Sequence, residues 1–148
     1  MFQFLEVETL VDDELELVLT EKVPANLKRC FVPFYKFEMK VGDEVVGAIR
    51  LRVGDTEDLR MFSGQIGYSV SEAFRGQHFA SRGCRLLYDL ARRHAMTELW
   101  ITCDENNLAS RRTCELAGAT LVEIVDLPED HDIYQRGGRR NCRYRVSL

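Results

Sequence analysis

IGYSVSEAFRGQHFASRGC, residues 66–84, decides the fold, because the hydrophobic period changes within it. Up to Val70 the residues suit a strand, as part of a run from Gly64 to Ser71 (GQIGYSVS). From Gln77 to Met96 apolar residues recur three and four apart: Phe79, Gly83, Leu87 and Leu90, with Ala80, Cys84, Ala91 and Ala95 beside them. That spacing predicts an amphipathic helix. Arg75 and Gly76 stand at the turn between strand and helix, and Ser81 lies one turn inside. The first N–H groups of a helix have no internal partner, and the helix dipole makes that end electropositive. A loop with Gly and a nearby Arg wrapping such an end suits a phosphate, with Arg75 as a charge-assisted donor. Read from these residues alone, the stretch suits equally a plain strand–turn–helix junction with a solvated Arg.

Downstream, Glu98–Cys103 (ELWITC) is a short apolar run, the pattern of a buried parallel strand. Leu108–Ala117 reads as a second helix, with Asn107 as N-cap and Gly118 as its stop. Thr120–Leu127 and Asn141–Leu148 read as closing strands, separated by a polar loop containing Pro128 and Gly137-Gly138. Upstream, Phe34–Val41 and Glu44–Val53 flank Gly42-Asp43, a hairpin signal. Residues 54–60 read as a charged loop, Glu21–Arg29 as a loop with Pro24 and Asn26, and Glu14–Thr20 as a half-buried strand. The unit from Ile66 to Cys103 is expected to be a right-handed crossover joining parallel neighbours. The remaining strands are expected to be antiparallel, giving a mixed α/β (α+β) sheet with at least two helices.

A chain of 148 residues fits a single domain over 1–148, and 45% apolar residues can fill its core. No apolar run approaches the length of about 18 that a membrane-spanning helix needs. Met1–Leu19 carries six acids and no base, the opposite of a secretory signal, so a cytoplasmic location with no membrane partner is expected. The five cysteines are odd in number and never form C-x-x-C, which argues against a metal cluster or a disulfide framework. Most are expected to be small buried hydrophobes. The net charge of −4 argues against nucleic acid as a partner. Arg136, Arg139, Arg140, Arg143 and Arg145 nevertheless crowd the C-terminus, as a solvated strand edge that repels sheet-to-sheet pairing or as an interaction face.

YSVSEAFRGQHFA resembles the acetyl-CoA motif of the GNAT acetyltransferases, R/Q-x-x-G-x-G/A after a strand. Arg75, Ala80 and the spacing match, while His78 stands where the pattern has its first Gly. Asn107-Leu-Ala-Ser110-Arg-Arg-Thr-Cys114-Glu-Leu-Ala-Gly118-Ala119 resembles the family's N-x-x-A/S-x-x-x-Y-x-x-x-G-F segment, in the right order downstream. The resemblance spans Ile49 to Val122, and the CRYRVSL ending is similar to a group of uncharacterised predicted acetyltransferases. The family's usual pair of helices after the first strand, which shapes the acceptor pocket, has no counterpart here.

The resemblance implies central strands that splay apart to admit the pantetheine arm of acetyl-CoA. Ser69 and Val70 would offer backbone to that arm. Arg75, Gly76, Gln77, His78, Phe79, Ala80 and Ser81 would hold the pyrophosphate, and Asn107 and Ser110 would line the far side. It further implies direct attack of an acceptor amine on the thioester, in a superfamily that often dimerises through its later strands; the short chain itself favours a small amine or peptide as acceptor, and the cysteine spacing no metal. Where the family has its acid tyrosine this chain has Cys114, a thiol whose reference pKa near 8.5 suits protonation of a thiolate. Ser110, one turn earlier, and Tyr68 are further candidates, with burial in the core the alternative reading for Cys114 and Tyr68. The base is open among Asp104, Glu105, Glu38 and a water. A CoA-binding module without turnover is the alternative function.

Overall fold

In the computed structural model, residues Met1–Leu148 form two sheets rather than one. The first contains β1 (Leu10–Asp12), β2 (Leu15–Val23), β3 (Phe34–Val41), β4 (Glu44–Arg52) and β5 (Ile66–Val70), antiparallel and in chain order. Helix α1 (Phe79–Arg93) then crosses to β6 (Glu98–Asp104). After α2 (Leu108–Leu116), β7 (Thr120–Asp126) and the short α3 (Asp132–Gln135), the chain closes with β8 (Arg140–Ser147). The second sheet has the order β6-β8-β7, also antiparallel.

The expected joining of β5 and β6 as parallel neighbours in one ladder is therefore corrected. Gln65 is the reason. Its N–H donates to the Trp100 carbonyl (2.8 Å), its side-chain Oε1 accepts the Trp100 N–H (2.6 Å), and its Nε2 donates to the Gly54 carbonyl (2.8 Å). The side chain thus takes the place of the next ladder bond, and the strands part beyond this pin. The α/β architecture is thus built on two antiparallel sheets, with the central strands β5 and β6 splayed apart between them.

Turn chemistry explains the first sheet. Gly42, at φ +61°, makes the two-residue Gly42-Asp43 loop that pairs Val41 with Glu44. Asp13, at φ +53°, makes an equivalent turn that pairs Asp12 with Leu15, so Leu10–Asp12, where sequence reading placed no strand, joins the sheet as β1. Asp tolerates this left-handed region better than most residues. The alternation of β2–β4 sends Leu15, Leu17, Tyr35, Phe37, Met39, Ile49 and Leu51 to one face, all essentially inaccessible. Helix α1 covers that face with Phe79, Cys84, Leu87, Leu90 and Ala91. Gly83 permits its close approach: a Cβ there would meet Ile49 Cδ1 at 3.2 Å.

The opposite face of the first sheet stays uncovered. Between β2 and β3 the chain has only a 3-10 turn, Leu27–Arg29, capped by Asn26, so the family's helix pair is absent as expected. Lys36, Glu38, Arg50 and Arg52 consequently point from β3 and β4 away from α1.

The C-terminal arginines do not form a free edge. β8 is the central strand of its sheet, and three of its arginines pair with neighbouring acids: Arg140 with Glu105 and Asp126, Arg143 with Glu123, Arg145 with Glu98. Arg139 stacks 3.9 Å from the Tyr134 ring centroid. Four of the five cysteines are buried, and Cys103 and Cys142 face each other across the β6–β8 ladder.

Candidate functional site

Beyond β5 a single 3-10 turn, Glu72–Phe74, leads into the start of α1. Gly76 (φ +89°) and His78 (φ +62°) both adopt left-handed backbone and curl residues 76–81 around the helix end. No protein acceptor receives the N–H of Gly76, Gln77, His78, Phe79, Ala80 or Ser81; the first N–H of the helix to find one is that of Arg82, bonded to the His78 carbonyl. No acidic side chain lies in the first turn, and the His78 side chain does not cap it. Six consecutive donors at the positive end of a fifteen-residue helix form an anion cradle. His78 occupies the left-handed position that explains the Gly of the family pattern. The Ser81 hydroxyl is turned inward onto the His78 carbonyl (3.0 Å), leaving only its backbone to a ligand.

The cradle is anchored from below. Arg82 donates to Asp12 Oδ2 (2.7 Å), to the Asp12 carbonyl (2.7 Å) and to Glu14 Oε1 (2.6 Å), fastening the start of α1 to the β1–β2 turn. Arg75 is exposed beside the cradle, and its Nε donates to the Val70 carbonyl (3.2 Å).

The edge of β5 that faces the gap is backbone without partners. Ser71 N–H bonds the Val46 carbonyl and Arg52 N–H bonds the Gln65 carbonyl, so odd-numbered residues of this stretch pair with β4. Ser69 is one of them, paired with Ala48. Its peptide groups are thus committed to β4, and the backbone that faces the gap is that of its even-numbered neighbours. The N–H and C=O of Tyr68 and the N–H of Val70 face the gap with no protein partner. A linear amide-bearing ligand can add to this edge as a short strand.

Helix α2 forms the other wall. Asn107 caps it, its Oδ1 accepting the Ser110 N–H (3.0 Å). The C-terminal end of α2 is held by α1: Arg85 donates twice to the Leu116 carbonyl (3.0 and 2.7 Å) and the Tyr88 hydroxyl to the Ala117 carbonyl (2.5 Å). Across the gap, the Tyr68 and Ser110 hydroxyls lie 2.5 Å apart. Two of the three candidate acids are therefore together.

Cys114, the third candidate, lies beside Tyr68 but is sealed from solvent. It has no accessible surface, and its thiol faces Cys103. The hydrogen bond to Cys103, followed by burial, pushes its pKa far above the ordinary thiol range. The same contact lowers the pKa of Cys103. With no accessible surface, this thiol packs within the core.

Among the candidate bases, Asp104 accepts the Asn106 N–H (2.9 Å) and Glu105 accepts from Arg140 (3.1 Å). Glu38 has no ion pair; it stands on the uncovered face in a cross-strand row with Ala48 and Ser69. Sequence reading missed Gln65, Arg50 and Arg52. A single polar residue within a strand run carries no signal of an inter-sheet pin, and alternating arginines on β4 read as an ordinary solvated face.

The fold has counterparts among known proteins. Residues 12–120 match the sequence model of the acetyltransferase (GNAT) domain family. No curated protein matches at the level of sequence. Among solved structures, the ribosomal L7/L12 alpha-N-protein acetyltransferase RimL in complex with coenzyme A superposes with a TM-score of 0.69 at 16% identity, covering 95% of this chain and 98% of that one. A second structure, from Vibrio cholerae, gives 0.67 at 14% identity, covering 95% and 98%. The microcin C7 self-immunity acetyltransferase MccE, in complex with acetyl-CoA and AMP, gives 0.61 at 15% identity over 78% of this chain. The chain spans 61% of that MccE chain.

Proposed function

We propose, from the premise that the chain belongs to the GNAT acetyltransferase family, that it transfers an acetyl group from acetyl-CoA to an amine by direct attack. The observation that carries this reading is the run of six unpartnered N–H groups at Gly76–Ser81 beside the unpaired edge of β5. A pyrophosphate followed by an extended amide chain has both complements.

The residues then take the following parts. Gly76, Gln77, His78, Phe79, Ala80 and Ser81 hold the pyrophosphate through backbone, and Arg75 adds a charge-assisted donor at its rim. Tyr68 and Val70 receive the pantetheine amides, with Asn107 and Ser110 on the opposite wall. The arm runs from the cradle back along β5 toward Gly67, which brings the thioester to the middle of the sheet. Glu38 takes the amine proton through a water, since β4 lies between it and Ser69. The Tyr68 hydroxyl donates to the departing sulfur and Ser110 orients it. Burial raises the Tyr68 pKa well above the ordinary range, which keeps this donor protonated but makes complete transfer to a thiolate uphill. Tyr68 therefore stabilises the leaving group by hydrogen bonding, and the proton released from the amine completes the balance.

A calorimetric titration with acetyl-CoA tests the reading. Micromolar binding is expected, weakened about tenfold in Arg75→Ala by loss of a charged donor. No heat and no thermal shift at millimolar acetyl-CoA would sink it. Binding without thiol release across a broad amine panel would reduce the protein to a CoA-binding module.

A further inference from the structure

The uncovered face of the first sheet contains a concavity of about 310 Å³ whose walls include Lys36, Arg50 and Arg52. Its lining also includes Tyr68 and Ser69, so it opens where the transferase reading puts the thioester. Gly67 forms the floor between the two arginines. A Cβ there would meet Arg50 Cγ at 3.5 Å and Arg52 Nη1 at 3.5 Å, so the missing side chain is what keeps this space open.

The charges of this concavity are unbalanced from within the protein. Arg50 and Arg52 stand two residues apart on the same face of β4, and neither has a carboxylate partner. Arg52 bonds the Gly64 carbonyl (3.0 Å), and Arg50 lies over the Phe34 ring, 5.4 Å from its centroid. Burial, and then the charge of Arg50, lower the Arg52 pKa, with Asp58 acting weakly in the opposite direction. Lys36 is directly opposite Arg50, and its contact with the exposed Glu21 is long, at 3.8 Å. The contrast is with β8, where Arg143, more deeply buried than either, is matched by Glu123. A desolvated guanidinium beside a like charge costs stability that a bound anion would offset.

The charges also have an order. Glu38, Ala48 and Ser69 form one cross-strand row; Lys36, Arg50 and Gly67 form the next row on the same face, roughly 7 Å along the strands. The cationic row thus lies in the concavity itself, and Glu38 stands just outside it, in register with the Ala48 and Ser69 that form its other end.

We infer that the acceptor is an amine that also carries a carboxylate or phosphate about 7 Å from its nitrogen, the anion being held by Arg50, Arg52 and Lys36 while Glu38 faces the amine. This deepens the transferase reading and rests on it for the position of the thioester. The anionic group can belong to a small amino acid or to the second or third residue of a peptide N-terminus, and both present the same chemistry to the site.

The test uses the full chain, acetyl-CoA and thiol-release detection with three acceptors of equal length: aminohexanoate, hexylamine and hexanediamine. A peptide beginning Ser-Glu-Glu and its Ser-Gln-Gln counterpart distinguish the two sources. Aminohexanoate or the acidic peptide is expected to exceed its uncharged counterpart in kcat/KM by at least about tenfold, the worth of one charge-assisted contact. Arg50→Gln is expected to bring that ratio close to one, and Arg50→Lys to restore part of it. An unchanged acetyl-CoA affinity in both variants shows that the fold is intact. Equal or better use of hexanediamine, or an Arg50→Gln ratio equal to that of the native chain, overturns the inference and leaves the transferase reading standing. If no acceptor releases thiol, calorimetry of aminohexanoate and the acidic peptide on the CoA-loaded protein decides. Binding that Arg50→Gln abolishes keeps the anion site while the transferase reading falls, and no binding overturns the site as well.

Discussion

The Tyr68 hydroxyl lies 2.5 Å from Ser110 Oγ, linking the free edge of β5 to the first turn of α2 across the gap between the two sheets. A second, longer contact runs from the same hydroxyl to the Ser110 carbonyl at 3.4 Å. The position is fixed from both sides. Tyr68 is held by the β5–β4 ladder, and Ser110 by Asn107 through the N-cap bond. A donor held this way needs no reorganisation when charge develops on a leaving sulfur.

Tyr68→Phe should therefore lower kcat by about 10²-fold, the scale on which positioned proton donors act, with little change in acetyl-CoA affinity. Ser110→Ala should cost less, because it orients the donor rather than touching sulfur. The double variant should resemble Tyr68→Phe, since residues acting as a unit are not additive. Because burial keeps the Tyr68 pKa well above its usual value, its titration should produce no alkaline fall in kcat up to about pH 10. Full activity in Tyr68→Phe would put the donor elsewhere.

Cys114 occupies the position of the family's tyrosine but is fully buried against Cys103. Cys114→Ala should leave kcat within a few-fold of the native value and lower stability by about 1–2 kcal/mol, the scale of a small core deletion. Denaturant titration and thiol-release rates on the same sample separate the two effects. A hundredfold loss of kcat with an intact fold would restore Cys114 as the acid.

How far the chain could be read in advance follows from where its information is local. Strand β3 was legible to the residue, because Gly42-Asp43 marks its end and strict alternation marks its length. The cradle was legible because Arg75, Gly76 and the start of the helical period are consecutive. β1 was not, since its turn relies on Asp13 rather than Gly and its partner is a strand that follows at once. Nor was the separation of the sheets, which depends on one glutamine side chain meeting Trp100, 35 residues away. The choice of Tyr68 rather than Ser69 as the gap-facing backbone is a matter of register with β4, and a one-residue change of parity cannot be seen in a single strand. Arg50 and Arg52 became informative only once the absence of covering helices left them on an open face with no acid opposite.

His78 holds a left-handed backbone at φ +62°, a conformation that costs a residue with a Cβ roughly 1–2 kcal/mol. His78→Gly should relieve that strain and lose backbone entropy of similar size, for a net change within about 1 kcal/mol. His78→Val, β-branched, should lose more than 1 kcal/mol by the same steric argument. Both should follow in acetyl-CoA affinity, because the curl at this residue aims the six N–H groups. Equal stability of the Gly and Val variants would show that residues 76–78 readjust freely and that the cradle is not preformed.

Arg82 joins that cradle to the β1–β2 turn through Asp12 and Glu14, and the consequence is a pH dependence of known sign. The hydrogen bond from Arg82 is the largest cause of a Glu14 pKa lowered to about 2. A carboxyl whose folded pKa is depressed contributes stability above its unfolded value near 4.5, and loses it as pH falls toward the folded value. Glu14→Gln should accordingly be less stable than the native chain at pH 7, with the difference shrinking between about pH 5 and pH 2. The side chain is 43% exposed, so solvent screening keeps the effect small and added salt should reduce it further. Denaturation midpoints measured across that pH range at low and high salt check the claim. A difference that stays constant with pH would mean that Glu14 acts through packing at the turn rather than through its charge on Arg82.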